Sequence, residues 1–231
     1  MNEVLDAVEP CVTTAMNESL LLPYTPKEVA IALKQMHQYK SPGPDASKSI
    51  ANRIKPFLNS PIPPSQSAFV PGRLIIDNVL IAYELNHFLA HKHWGKVGHV
   101  SLKLDVSKAY DTLDWFFLES VLSRIGFHHK VVSLIMLCVK SVTYSFLFNG
   151  AQFGYMKLGR SPGQEDPLSP YLYLFYAEAF SKLICRMQDA GKLQGIAVFR
   201  QAPRITHLLF ADDTLIFCQA TRRLVFVSKM C

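Results

Sequence analysis

No stretch of this chain is apolar for long enough to cross a bilayer. A span needs about 18–20 such residues, and even the Leu-rich run at 168–185 is broken by Pro170, Glu178 and Lys182. Cysteine is sparse. Cys11, Cys138, Cys185, Cys218 and Cys231 are odd in number and lack metal-ligand spacing, which argues against a disulfide scaffold and for a reducing intracellular compartment, the nucleus included. Met1-Asn2-Glu3 does not open like a signal or transit peptide. Low-complexity tracts and repeats of about 20–50 residues are missing, which disfavours a solenoid. The cations form no single basic run: Lys48, Arg53, Lys55, Arg73, Lys157, Arg160, Arg200, Arg204, Arg222 and Arg223 are scattered, and most read as solvated surface. What is there is 231 residues, 49% hydrophobic, with a net charge of +6. That is enough for one sizeable core, and modestly suited to a polyanionic partner.

The most informative local feature is Asp212-Asp213, set in Leu208-Leu209-Phe210-Ala211-Asp212-Asp213-Thr214-Leu215-Ile216-Phe217. Alternating apolar residues on both sides predict two short strands with the acidic pair at their bend. Crowded carboxylates repel unless a cation lies between them, and oxygen ligands suit magnesium or manganese better than zinc. The same letters also suit an ordinary hairpin turn, because Asp tolerates turn geometry. A third acid lies in His99-Val100-Ser101-Leu102-Lys103-Leu104-Asp105-Val106. There Val100, Leu102, Leu104 and Val106 share one strand face, leaving Asp105 on the other. If this strand neighbours the hairpin, Asp105 and Asp212 converge on a pair of ions. Two metals about 3.5–4 Å apart clamp the attacking and leaving oxygens of a phosphoryl displacement. Asp105 could equally be a strand-end residue or a cap for the next element.

Around these acids the pattern predicts mostly helix. Thr25-Pro26-Lys27-Glu28 is a capping box with Pro in the first turn, followed by Val29, Leu33 and Met36 at helical spacing. Ser41-Pro42-Gly43-Pro44 reads as a loop. Ile50, Ile54 and Phe57 suggest a further helical face that Pro56 ends early. Asp77 is expected to cap a helix through Ala90 that buries Ile81, Leu85, Phe88 and Leu89. Asp114 is expected to cap another, closed by Gly126. A helix over Lys130–Val139 comes next, with His128-His129 in the preceding loop. Tyr144, Phe146 and Phe148 alternate up to Asn149-Gly150, a hairpin signal, and Phe153 and Tyr155 continue on the return strand. A long stripe from Leu172 through Tyr176, Ala179 and Leu183 to Met187 ends at Gly191. His87 and His91 lie four apart on one helix, but no Glu follows His87 and no third zinc ligand is evident. The order of strand, long helix and acid-bearing paired strands suits an α+β sheet with helices on one face.

Several ordered strings resemble reverse transcriptases. They are Leu102-Lys103-Leu104-Asp105-Val106-Ser107-Lys108-Ala109-Tyr110-Asp111, Gln164-Glu165-Asp166-Pro167-Leu168-Ser169-Pro170 and Phe210-Ala211-Asp212-Asp213. Lys40-Ser41-Pro42-Gly43-Pro44-Asp45 and Gln66-Ser67-Ala68-Phe69-Val70-Pro71-Gly72-Arg73 narrow the likeness to the non-LTR (LINE-type) retrotransposons of plants. The resemblance implies a polymerase palm, with 1–45 a fingers remnant and 46–231 partial fingers plus palm. It also implies RNA-directed DNA polymerase chemistry with magnesium, or manganese as an alternative, on an RNA template and DNA primer with deoxynucleoside triphosphates. Asp105 and Asp212 would hold the metals, assisted by the carbonyl of Val106, and Asp213 would shape the site. Tyr110 would disfavour a 2′-hydroxyl, and Gln164 would line the nucleotide pocket.

Departures from the family pattern point to an impaired enzyme. Glu165 stands where relatives carry Gly, and Gly163 where they carry a basic residue. A Glu there meets any φ > 0 requirement badly and repels phosphates. Pro44-Asp45-Ala46 runs almost directly into Ile50-Ala51-Asn52-Arg53, where relatives place a long stretch of fingers. The chain stops soon after Asp213, short of a thumb, and no endonuclease region precedes the match, so an internally deleted and truncated form is expected. A non-catalytic nucleic-acid-binding remnant and an organellar intron maturase-like protein are the alternatives.

Overall fold

Capping chemistry decides where several helices of this chain begin. The computed structural model describes residues 2–36, 45–93, 95, 97–105, 113–157 and 166–220. In chain order its elements are α1 (Asn2–Leu5), α2 (Thr14–Leu21), α3 (Pro26–Gln35), α4 (Asp45–Ile54), α5 (Ile75–His91), β1 (His99–Asp105), α6 (Trp115–Ile125), α7 (His129–Ser141), β2 (Thr143–Phe148), β3 (Ala151–Lys157), α8 (Ser169–Asp189), β4 (His207–Phe210) and β5 (Asp213–Gln219). Thr25 and Glu28 cap α3 reciprocally, the Thr25 amide donating to Glu28 Oε2 at 2.8 Å and the Glu28 amide to Thr25 Oγ1 at 3.3 Å. Asp114 accepts from the Phe117 amide at 2.8 Å, and Gly126, at φ 105°, closes α6 in the left-handed conformation. At Pro56, α4 gives way to a single 3-10 turn, Lys55–Phe57.

Two boundaries differ from expectation. Helix α5 starts at Ile75 behind Leu74, which makes no side-chain cap bond, so Asp77 lies in the first turn instead of capping. There its charge still complements the helix dipole. His129 is the first residue of α7 and not part of the preceding loop, while His128 stays in that connection as the cap, its Nδ1 accepting from the Lys130 amide at 3.2 Å.

The chain divides into two compact units. One takes in 9–61 and 108–176, the other 2–8, 62–107 and 177–231. In the first, Leu118, Val121, Leu122 and Ile125 of α6 and Ile135 of α7 are fully buried, together with Leu172 and Phe175 from the N-terminal half of α8. Strands β2 and β3 form a separate two-stranded ribbon. Asn149 and Gly150, at φ 50° and 79°, make its turn, the double positive φ of a type I′ hairpin.

In the second unit the sheet runs β1-β5-β4, all antiparallel. Val100, Leu102 and Leu104 pack with Ile216 and Cys218 of β5 against Phe180, Ile184 and Met187 of α8. The opposite face of the β4–β5 hairpin, Leu208, Leu215 and Phe217, packs on Ile81, Leu85 and Phe88 of α5. This corrects the expected sheet with helices on one face only: α8 and α5 cover opposite faces. The unbroken run Leu215-Ile216-Phe217-Cys218 carries the reason, since a strand buried on both sides has no polar face to alternate. Among the described residues no helix is long and apolar enough to cross a membrane.

Candidate functional site

Strand β1 ends on Asp105 and β5 begins on Asp213, and the antiparallel register sets these two positions directly across from each other. Asp212 precedes Asp213 in the turn Ala211-Asp212, closed by the facing pair Phe210 and Asp213. Ala211 takes φ 49°, a conformation that costs a non-glycine residue about 1–2 kcal/mol and tends to persist where surrounding structure enforces it. Three acidic positions, two of them more than a hundred residues from the third, thus come to one end of the sheet. Local strand signals on each segment make this possible; the pairing of β1 with β5 brings it about.

Lys103 contributes a cation that the sequence reading did not single out. Two residues before Asp105, it reaches diagonally across the ladder, and its Nζ lies 2.9 Å from Asp213 Oδ1. Both side chains are about half exposed, so the pair adds at most about 1 kcal/mol to stability. Its significance is local: positive charge already sits at one of the crowded acids. The i−2 spacing on a common strand face was the available signal.

The hairpin is held from behind by a segment whose role sequence reasoning also missed. Gln66 pairs with Leu209 in an isolated parallel bridge. The Leu209 amide donates to Ser65 O at 2.8 Å and the Ser67 amide to Leu209 O at 3.4 Å. Asn78 on α5 is buried, and its Nδ2 donates to both Ser65 O at 2.7 Å and Leu209 O at 3.0 Å. Arg73 makes this loop rigid, its guanidinium donating to the carbonyls of Ile62 and Gln66 at 2.7 Å and also to that of Pro63. Nothing in the spacing of these residues announces such long-range bonds.

Two buried titratable groups flank the sheet. His207 on β4 lies among Ser65 Oγ at 3.3 Å, Ser181 Oγ at 2.8 Å and Thr206 Oγ1 at 3.0 Å, and burial pushes its pKa down to about 4. It is a neutral tie between β4 and α8. Glu178 on α8 is 2% exposed, and burial pushes its carboxyl up to about 8 against the opposing pull of Lys182 and Arg73. Lys182 Nζ stands 3.6 Å away, too far for a hydrogen bond, and burial prevails.

The remaining expected site residues, Val106, Tyr110 and Gln164 with Glu165, lie outside the described residues, as does the side chain of Asp105. Asp166, next in that string, serves the fold, since its Oδ1 accepts from the Leu168 amide at 2.7 Å at the entry to α8. Among the described residues no three His, Cys, Asp or Glu side chains form a metal cluster. Even so, adjacent carboxylates at Asp212 and Asp213, one of them already drawing a lysine, are a hard oxygen donor set of the kind magnesium takes.

The class defined by fold and site is a mixed α/β domain with acids gathered at one end of an antiparallel sheet. Residues 43–231 match the family described as reverse transcriptase (RNA-dependent DNA polymerase). The chain belongs to the reverse transcriptase family. It is 51% identical over 69 residues, 30% of its length, to an uncharacterized mitochondrial protein of Arabidopsis thaliana. It is 30% identical over 173 residues, 75% of its length, to the transposon TX1 uncharacterized 149 kDa protein of Xenopus laevis. Over 147 residues, 63% of the chain, it is 26% identical to the retrovirus-related Pol polyprotein from type-1 retrotransposable element R2 of Popillia japonica. These matches span 57%, 13% and 20% of the respective relatives.

Proposed function

We propose that this chain is the palm-bearing part of a plant non-LTR retrotransposon reverse transcriptase, retaining its metal carboxylates but slow in polymerisation. The observation that carries the reading is the register of Asp105 against Asp213, with Asp212 in the adjoining turn. In this proposal Asp105 and Asp212 hold two magnesium ions, helped by the Val106 carbonyl, and Asp213 keeps Lys103 beside them. When bound, the metal pair supplies polarisation of the α-phosphate, acidification of the primer 3′-hydroxyl and stabilisation of departing pyrophosphate. Tyr110 crowds a 2′-hydroxyl and so favours deoxynucleotides. Gln164 lines the nucleotide pocket against the template–primer. Glu165 adds a negative charge beside phosphate-bearing substrates, and with α4 running unbroken from Asp45 through Ile50 little of the fingers is left there to grip a triphosphate.

Primer extension on an RNA template with magnesium tests this. Weak incorporation is expected, abolished by Asp212→Ala and raised severalfold by Glu165→Gly. Incorporation that survives Asp212→Ala overturns the site assignment. Robust extension by the parent chain overturns the impaired reading. Salt-dependent primer–template binding with no incorporation in any variant favours a binding module instead.

A further inference from the structure

We infer that Gln66 is a positioning residue for the acidic turn, acting through the backbone of Ala211 on the placement of Asp212. Strand β4 is an edge of its sheet, so its outward amides need partners from elsewhere. One of them, Leu209 N–H, is taken by the Ser65 carbonyl at 2.8 Å. Two residues on, the chain has turned at Ala211, and no backbone carbonyl among the described residues meets its amide. The Gln66 side chain does: its Oε1 accepts from the Ala211 amide at 3.3 Å and from the Ala68 amide at 3.0 Å. Both partners are donors, so the oxygen end of the carboxamide must face them.

The arrangement is costly in two ways. Gln66 is 1% exposed, and its Nε2 is buried with no hydrogen-bond partner among the described residues. Ala211, without a glycine's freedom, is held at φ 49°. A buried orphan donor and a strained backbone, joined by one hydrogen bond, mark a place where geometry is kept at the expense of stability. The bond fixes the first residue of a two-residue turn whose second is Asp212. A metal ligand on so short a turn moves whenever the turn relaxes, and groups that orient ligands typically set affinity by about 10–100-fold. This role rests on the proposed reading of Asp212 as a ligand.

The test uses the full chain and Gln66→Met, which keeps the length and apolar stem but removes the acceptor. Amide hydrogen exchange at Ala211 is expected to quicken about tenfold, with Leu215–Phe217 protected as in the parent. Manganese affinity, followed by electron paramagnetic resonance, is expected to fall about tenfold. Unchanged exchange at Ala211 overturns the proposal. Faster exchange with unchanged manganese affinity also overturns it, leaving Gln66 a merely structural contact. Gln66→Glu keeps an accepting oxygen and is expected to restore both readouts; failure to restore Ala211 protection in a folded Gln66→Glu chain counts against the assignment. If the parent binds manganese no better than Asp212→Ala, it is the metal reading that fails, and exchange at Ala211 still decides whether Gln66 sets the turn.

Discussion

At the scale of single residues, Lys103 and Glu178 show how differently a charge behaves at a surface and in a core. The Lys103–Asp213 pair at 2.9 Å is solvent-accessible on both sides, so screening limits its contribution to stability. Lys103→Met should therefore change unfolding free energy by no more than about 1 kcal/mol. It should at the same time tighten manganese binding a few-fold, because a competing cation is gone; weaker binding would show that Lys103 supports the site instead of competing for it. Glu178 is the reverse case. Its two carboxylate oxygens are buried without a hydrogen-bond partner among the described residues, so the neutral acid is the favoured folded form. Glu178→Gln keeps the shape and cannot ionise. In denaturant titrations at pH 8.5 it should be more stable than the parent by about 2–4 kcal/mol, whereas a penalty there would mean that Lys182 and Arg73 outweigh burial.

At the scale of elements, the first unit depends on a few polar fastenings whose geometry can be tested singly. Arg53 on α4 bonds Glu28 through Nε at 2.8 Å and Nη2 at 3.0 Å, bonds the carbonyls of Leu20, Leu22 and Pro23, and stacks 3.8 Å from the Tyr24 ring centre. It ties the α2–α3 connection to α4. The Arg53 guanidinium, ahead of the Thr25 bonds, holds the Glu28 carboxyl down at about 2. A lysine cannot reproduce a planar fork with several donors. Arg53→Lys should lower the thermal midpoint nearly as much as Arg53→Ala, and a lysine variant indistinguishable from the parent would show that charge alone suffices. Helix α6 offers a cleaner case. Asp114→Ala leaves the Phe117 amide without its partner and should cost about 1 kcal/mol, measurable by urea unfolding, with Asp114→Asn recovering most of it.

At the scale of the whole molecule, two buried groups on α8 and β4 give stability a dependence on pH that can be worked out by sign. Between about 4 and 6.5, unfolded His207 binds a proton that the folded form excludes, so stability rises with pH there. Between 4.5 and about 8, folded Glu178 keeps a proton that the unfolded chain has released, so stability falls as pH rises. The two oppose each other below 6.5, and above it Glu178 acts alone. Stability should therefore decline from pH 6.5 to 8, and Glu178→Gln should flatten that decline; parallel curves for the two chains would refute the assignment. Much of the local structure was legible beforehand, because a capping box at Thr25, a cap at Asp114 and the Asn149-Gly150 turn act within four residues of themselves. The acidic hairpin was legible for the same reason. The start of α5 was not, since Leu74 offers no capping group and position along the chain depends on what α5 packs against. Nor were Lys103, Gln66, Asn78 and Arg73 legible as a set, because their partners lie on other segments or on loop carbonyls that any sequence possesses. By itself the sequence determined most of the helices and strands from Thr25 onward, that Asp105 ends one strand, and that Asp212-Asp213 sits on a bend; α1 and α2 came only with the structure. Only the tertiary structure decided that β1 pairs with β5 in the register that sets Asp105 against Asp213, that helices cover both faces of the hairpin, and that a glutamine from a distant loop holds its turn. Short-range sterics and hydrogen bonds act along the chain and can be read there, whereas register and burial are set by contacts that exist only once the chain has folded.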